Sequence, residues 1–222
     1  MNTSTPYLTK SRYIDALRCE KKLWLGWHER LPYEEALPYS ILDTGNRIGR
    51  GAWALFPGGV EVTEKPYQHD AAVATTASLM AGDVPAIFEA AFEYDNVRIR
   101  VDVLERLEDG WGLREVKSST SASEDKGHVD DVAVQLYVLQ GAGVDITSVE
   151  LIHVNNQYVF DGGDIVWPEM LLRRDLTMEA RDRLPQVAAK IPELFGVLGR
   201  DRAPEVYATK SLCSKPWRCD YF

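Results

Sequence analysis

The sequence predicts a mixed α/β (α+β) domain built on an antiparallel three-strand meander that is followed by a helix and a further strand. Two observations support this fold class. The middle of the chain has alternating and β-branched residues separated by turn dipeptides, whereas the segments on either side have apolar residues at helical spacing. We therefore expect N-terminal and C-terminal helices to flank the sheet.

Apolar spacing predicts three helices before the sheet, at 13–27, 45–56 and 70–82. The first of them is locally basic. After the meander, a helix is expected at 129–140 and a strand at 148–154. These elements justify the helical N-terminal part and the α/β centre of the predicted fold.

The remaining elements are predicted from shorter patterns. The strand at 148–154 is expected to pair with a second strand at 157–160. The segment 168–199 has a helical apolar stripe, which Pro185 and Pro192 are expected to bend or divide.

Length and composition favour one soluble domain. The 222 residues are 45% hydrophobic and 27% charged, and no apolar run approaches the roughly 18 residues of a membrane span. We expect one domain over 1–222, divided into a helical part at 8–82, a core at 85–160 and a C-terminal region at 168–222. The start has no signal-peptide pattern, which predicts a cytoplasmic protein with no membrane partner.

The chain is acidic, with a formal net charge of −9 at pH 7. This charge argues against coating nucleic acid by bulk electrostatics, but it allows a local basic path and a site made of carboxylates. The three cysteines, an odd number in a chain without an export signal, argue against a disulfide framework. The four histidines show no ligand pattern, and we expect each to be structural or exposed.

Residue counting across the predicted hairpins brings acidic side chains together. A two-residue turn at 95–96 would place Glu89 opposite Asp102. A second turn at 108–109 would place Asp102 opposite Glu115, whereas a turn at 109–110 would place Lys117 there, with Glu115 as the diagonal neighbour. Both alternatives keep Asp102, Glu115 and Lys117 on one face, and an uncompensated three-residue loop would break this parity.

Three neighbouring carboxylates repel one another, and burial strengthens the repulsion. Glu89 also interrupts an apolar strand, where a charge has no packing purpose. A hard divalent cation resolves the conflict, since Mg²⁺ prefers oxygen ligands and suits phosphate hydrolysis. The alternative is a solvated sheet face on which Lys117, Arg98 and Arg100 balance the acids.

The segment "RVDVLERLEDGWGLREVKSS" has an Asp, a hairpin and then Glu-x-Lys, and it resembles the motif of the PD-(D/E)XK nuclease superfamily. The resemblance implies a restriction-endonuclease-like core. It also implies that Asp102, Glu115 and the carbonyl of Val116 bind Mg²⁺ or Mn²⁺. Glu89 would hold a second ion or orient a ligand water, and Lys117 would position the attacking water or stabilise charge on the phosphate.

The helix "DDVAVQLYVLQGAG" is similar to the one that follows this motif in RecB-like nucleases, whose Gln and Tyr line the site. The resemblance implies that Gln135 and Tyr137 orient Lys117 or the substrate. An early helix of the related nucleases often carries an additional His ligand, and the equivalent segment "GNRIGRGAWALF" has none. Glu89 is the candidate to compensate for it.

The segments "LTKSRYIDALRCEKKLWL" and "CSKPWRCDYF" resemble the ends of CRISPR-associated RecB-like nucleases, in which cysteines hold a 4Fe–4S cluster. The resemblance implies a structural cluster on Cys19, Cys213 and Cys219. A fourth cysteine is lacking, so we expect a chain truncated at its C-terminus. Zinc is a weaker alternative. The simplest alternative is that Cys19 is a small buried apolar residue and that Cys213 and Cys219 are incidental.

The resulting expectation is a metal-dependent nuclease that hydrolyses phosphodiester bonds in DNA, either single-stranded or a duplex with ends. A further C-terminal domain or a partner protein is also expected. The alternative function is a catalytically silent nucleic-acid-binding or assembly module with the same fold. The acidic balance, the missing His and the incomplete cysteine set support that alternative.

Overall fold

The computed structural model describes residues 5–29, 31, 41–121, 127–214 and 219–221. This part of the chain forms seven strands and eight α-helices, which confirms the α/β class. The strands β1 to β7 are Leu8–Thr9, Val60–Glu61, Ala86–Tyr94, Val97–Leu107, Gly110–Lys117, Ile146–Val154 and Leu171–Asp175. The helices α1 to α8 are Lys10–Arg18, Glu20–His28, Ile41–Ala52, His69–Ala81, His128–Gly141, Trp167–Met170, Thr177–Leu198 and Lys210–Ser214.

All seven strands belong to one mixed sheet with the order β2-β3-β4-β5-β6-β7, and β1 pairs with β4. The pairs β3/β4, β4/β5 and β6/β7 are antiparallel, whereas β1/β4, β2/β3 and β5/β6 are parallel. The parallel pair β5/β6 requires a crossover, which α5 provides. The predicted meander, the helix after it and the following strand are therefore all present.

The β3–β4 hairpin has the predicted two-residue turn. Asp95 and Asn96 both have left-handed φ angles, of 50° and 56°, and Tyr94 pairs with Val97. These are the backbone conformations that tight hairpin turns need and that Asp and Asn tolerate better than most residues. The turn fixes the register of the strands that carry Glu89 and Asp102.

Apolar residues cover both faces of the sheet. On one face, α5 contributes Val132 and Leu136 to a large core that includes Val187 and Leu194 of α7. On the other face, residues of α3 and of the segment after it form a smaller cluster with the sheet. None of the described helices has the length and apolarity needed to span a membrane.

Three predicted elements were wrong. The first helix is divided at Cys19, whose extended backbone separates α1 from α2. Residues 157–160 form no strand, and β6 pairs instead with Leu171–Asp175, inside the segment that was predicted to be helical. Pro185 and Pro192 lie within α7, which continues through both of them as one element, so the two prolines do not divide the helix.

Candidate active site

One edge of β4 is paired at both of its ends but not in the middle, which leaves a split between β1 and β5. At one end of this edge, β1 pairs with Val97 and Arg98, and at the other end β5 pairs with β4 from Val103 onward. Within the described residues, no strand pairs with this edge between Arg98 and Val103. Asp102 lies in the gap, and its Oδ2 accepts a hydrogen bond of 2.7 Å from the backbone N–H of Val116.

The register confirms the residue counting. Phe88 pairs with Val103 and Ala90 with Val101, so that Glu89 lies opposite Asp102 as predicted. The second hairpin closes with Leu107 opposite Gly110, which makes 108–109 its loop and selects the first of the two alternatives. One step beyond the last pair of this ladder, Asp102 and Glu115 face each other across the split.

Glu115 is the centre of the site and is 1% exposed. Lys10 Nζ donates to both of its carboxylate oxygens at 2.9 Å. Lys117 Nζ donates to Oε1 at 2.5 Å, and Gln135 Nε2 donates to Oε2 at 2.7 Å. The structure therefore brings together three predicted residues, Glu115, Lys117 and Gln135, around one buried carboxylate.

The sequence interpretation missed two members of this cluster, Lys10 and Asp131. Asp131 on α5 accepts a hydrogen bond from Lys117, and its Oδ1 is 3.4 Å from Lys10 Nζ. A signal for Asp131 was present, because it precedes Gln135 by four residues and so shares its helix face. Lys10 gave no such signal, since it is 105 residues from Glu115 in sequence.

The charges of the cluster shift the pKa values of its members in opposite directions. Burial alone would raise the pKa of Glu115, but Lys10 and Lys117 hold it well below its usual range. Burial, together with the charge of Glu115, raises the pKa of Asp102. The pKa of Lys117 is raised, since Glu115 and Asp131 outweigh its burial. Lys117 is therefore an ammonium ion, which can donate hydrogen bonds but cannot accept a proton.

Glu89 adjoins the cluster in an unusual backbone conformation. Its φ angle is +57°, in the left-handed region that non-glycine residues rarely adopt. The alternation of side chains breaks there, because Ile87 and Ala90 both pack in the larger core. Burial raises the pKa of Glu89, and the charges of Lys10 and Glu115 also act on it. Such strain is typical of functional positions and costs about 1–3 kcal/mol.

Tyr137 does not lie at the site, so the role predicted for it does not fit its position. Its hydroxyl donates to Asp95 Oδ2 at 2.5 Å, and its ring centroid is 5.5 Å from that of Tyr94. Tyr137 follows Gln135 by only two residues, which places the two side chains on different sides of α5. It fastens the β3–β4 turn to the helix.

The oxygen atoms of the site suit a hard divalent cation. Asp102 and Glu115 supply carboxylates beside the backbone of Val116, and Gln135 Oε1 is buried without a hydrogen-bond partner. Glu115 is itself paired with the ammonium groups of Lys10 and Lys117. Among the residues that the structure describes, no three His, Cys, Asp or Glu side chains are grouped to hold a metal ion.

The predicted cluster cysteines lie in two segments that approach each other. Cys19 joins α1 to α2, and Arg18 donates to the carbonyl of Leu212 at 2.5 Å. The N–H of Cys219 donates to the carbonyl of Cys213 at 2.7 Å. All three cysteines are free thiols. The C-terminal segment thus packs near the α1–α2 joint, and the iron–sulfur cluster stays a prediction.

Comparison with known proteins adds little to this geometry. No family model matches the sequence, and no curated protein matches it. One solved structure that it resembles is "Crystal structure of SSO0001", with 10% sequence identity, 93% of this chain and 82% of that chain covered, and a TM-score of 0.36. At that identity and TM-score, the resemblance indicates no function.

Proposed function

We propose that this protein is a metal-dependent nuclease of the RecB-like type that hydrolyses phosphodiester bonds in DNA. The observation that supports it best is the convergence of Asp102, Glu115 and Lys117 at the split edge of β4. A surface ion pair would not need a carboxylate that is 99% buried beside a second carboxylate. Bound Mg²⁺ or Mn²⁺ would supply a Lewis acid and a metal-activated water.

Each residue of the cluster has a task in this proposal. Asp102 and Glu115 hold the metal, with the carbonyl of Val116 as a further ligand, and Glu89 holds a second ion or orients a ligand water. Lys117, as an ammonium ion, donates hydrogen bonds to the phosphate and stabilises the charge that develops there. Gln135 fixes the orientation of Glu115 through its 2.7 Å hydrogen bond.

A second candidate function is a catalytically silent nucleic-acid-binding or assembly module. The charge balance of the cluster favours it, since Lys10 and Lys117 neutralise Glu115 and Asp131 without any metal. The two candidate functions differ in whether Lys10 stays paired with Glu115, which can be tested by experiment. In the nuclease, Lys10 would leave Glu115 when the carboxylate holds a divalent cation, whereas in the silent module Lys10 stays paired with it.

A divalent-dependent cleavage assay on single-stranded and duplex DNA, with RNA as a further substrate, tests the proposal. Asp102→Asn and Lys117→Ala should each abolish cleavage. Asp109→Asn, in the exposed β4–β5 turn, is the matched control and should cleave like the parent protein. Activity that survives both site substitutions would refute the mechanism, and oligonucleotide binding without cleavage would favour the silent module.

A further inference from the structure

A cavity of about 280 Å³ lies next to the acidic cluster. Three segments line it: residues between Tyr7 and Ser11, the pair Pro66 and His69, and β4 from Arg98 to Arg100. Lys10 belongs to both places, because it lines the cavity and also contacts Glu115 at 2.9 Å. A ligand in this cavity would therefore lie beside the carboxylates of the candidate active site.

Cationic side chains line the cavity. The guanidinium of Arg100 donates to the backbone carbonyls of Glu89 and Glu64 at 3.1 and 2.9 Å. Within the described residues, it forms no ion pair with a carboxylate. Arg98 pairs with Glu93 at 2.8 Å, and its guanidinium lies 4.4 Å from the centroid of the Tyr7 ring. Arg100 thus lies outside any ion pair that the structure describes at the cavity, although its charge also acts on Glu89 and Glu64.

The N-terminus of α1 opens onto the same cavity. Thr9 caps the helix by accepting a hydrogen bond of 3.3 Å from the N–H of Arg12. Ser11 is exposed, and its hydroxyl lies 3.1 Å from that of Thr9. The positive end of the helix dipole favours negative charge at this position.

His69 gives independent evidence for a ligand. It is 6% exposed and lines the cavity, and its Nε2 is buried without a hydrogen-bond partner. The nearest acid, Glu93, has its Oε2 at 3.6 Å from this nitrogen. Buried polar atoms nearly always have a hydrogen-bond partner, so a ring nitrogen that has none and faces a cavity is available to a group that is bound there.

We propose that this cavity binds a phosphate group of the nucleic-acid strand that the active site cuts. The inference rests on the proposed function for the identity of the strand. A phosphate fits the observations because it is an anion with several acceptor oxygens, and guanidinium, hydroxyl and imidazole groups line the cavity. Because the cavity lies beside Lys10, it would bind a phosphate next in the strand to the one that faces Asp102 and Glu115 and is cleaved.

Ser11→Asp tests the proposal with little risk to folding. An acid in the first turn suits the helix dipole, yet it repels a phosphate in the cavity. Met178→Asp is the matched control, since Met178 is the second residue of α7, is 64% exposed and lies outside the cavity lining. Oligonucleotide binding is measured by fluorescence anisotropy in EDTA, so that the result does not depend on cleavage.

We expect Ser11→Asp to weaken binding roughly tenfold, which corresponds to the loss of one charged hydrogen-bond group, and Met178→Asp to leave it unchanged. A second pair of variants uses arginines of one strand that both donate to backbone carbonyls. Arg100→Gln, at the cavity, should weaken binding, whereas Arg106→Gln, outside it, should not. Parental binding by both Ser11→Asp and Arg100→Gln would overturn the proposal, even if the protein cleaves DNA.

Three oligonucleotides identify the phosphate: one with a 5′-phosphate, one with a 3′-phosphate and one with neither. An effect of Ser11→Asp confined to one phosphorylated end indicates a terminal phosphate, and an equal effect on all three indicates an internal one. Both results support the proposal. Protection against thermal unfolding by inorganic phosphate, without any effect of Ser11→Asp on oligonucleotides, would overturn it. Binding that responds to Ser11→Asp in a protein that cleaves nothing would support the cavity and refute the nuclease.

Discussion

Lys10 and a divalent cation should compete for the carboxylate of Glu115. Lys10→Met removes the competing ammonium group and so tests this competition. In the parent protein, Lys10 contacts both oxygens of Glu115 at 2.9 Å, and Glu115 is 1% exposed. Removing one partner of a buried ion pair costs about 3–5 kcal/mol. Because Glu115 keeps Lys117 and Gln135, we expect the low end of this range, about 3 kcal/mol.

The expected loss is large enough to measure by thermal unfolding. For a domain of this size, 1 kcal/mol corresponds to about 2–4 °C, so Lys10→Met should lower Tm in EDTA by roughly 6–12 °C. Mn²⁺ should restore most of this loss, since a ligand at 100 times its Kd stabilises by about 2.7 kcal/mol. The parent protein should gain less from Mn²⁺, because the ion must first displace Lys10.

Lys190→Met is the control for this experiment. Lys190 pairs with Glu20 at 2.8 Å and with Glu193 at 3.0 Å, nearer the surface. Its removal should cost less than about 1 kcal/mol, and Mn²⁺ should not change the result. If Lys10→Met loses stability in EDTA but gains no more from Mn²⁺ than the parent protein does, Lys10 and the cation do not compete for Glu115, and the reasoning for a metal site on this carboxylate fails.

Three further predictions concern the fold. Arg114→Met should lower the free energy of unfolding in urea by about 3 kcal/mol, because it removes a guanidinium that is 2% exposed and donates to Glu105 and Ser148. A loss under about 1 kcal/mol would contradict this. Gly112→Ala should cost about 1–3 kcal/mol, since its Cβ would lie 2.2 Å from that guanidinium, and the cost should shrink in the Arg114→Met background. Burial lowers the pKa of His69, so the unfolded ring binds protons first, and stability should fall below about pH 6.5. In His69→Gln, the free energy of unfolding should fall less steeply below about pH 6.5. If the slope equals that of the parent protein, His69 is not the group responsible for the decline.

The meander could be predicted because its rules are local. Side chains alternate along a strand, and a two-residue turn fixes the register, so Glu89 and Asp102 were placed opposite each other by counting alone. The left-handed backbone of Glu89 could not be foreseen, because nothing in a Glu in an apolar strand indicates a positive φ. The counting still holds, since the pairs on both sides of Glu89 keep the same register.

The elements after β6 show where local patterns fail. Val159 and Phe160 look like part of a strand, yet they are 84% and 56% exposed. The segment Leu171–Asp175 has residues with good helix propensity, but it pairs with β6 along an otherwise open edge. The free energy gained when the backbone groups of a strand edge find hydrogen-bond partners exceeds a helix-propensity difference of a few tenths of a kcal/mol per residue. Such pairings become visible only when the whole sheet is known.

The contact between Lys10 and Glu115 joins residues that are 105 positions apart in sequence, and no spacing rule predicts it. Strand β1 is only two residues long, and it pairs with Val97 and Arg98. That short pairing brings Lys10 to the carboxylates and Ser11 to the cavity. A deletion of the N-terminal segment would therefore remove the competing ammonium and the phosphate-binding helix end together, and its effects would not distinguish the two. Ser11→Asp changes the cavity and leaves the ammonium of Lys10 in place. A loss of oligonucleotide affinity in Ser11→Asp without a change in its Tm response to Mn²⁺ would therefore show that the two sites act separately.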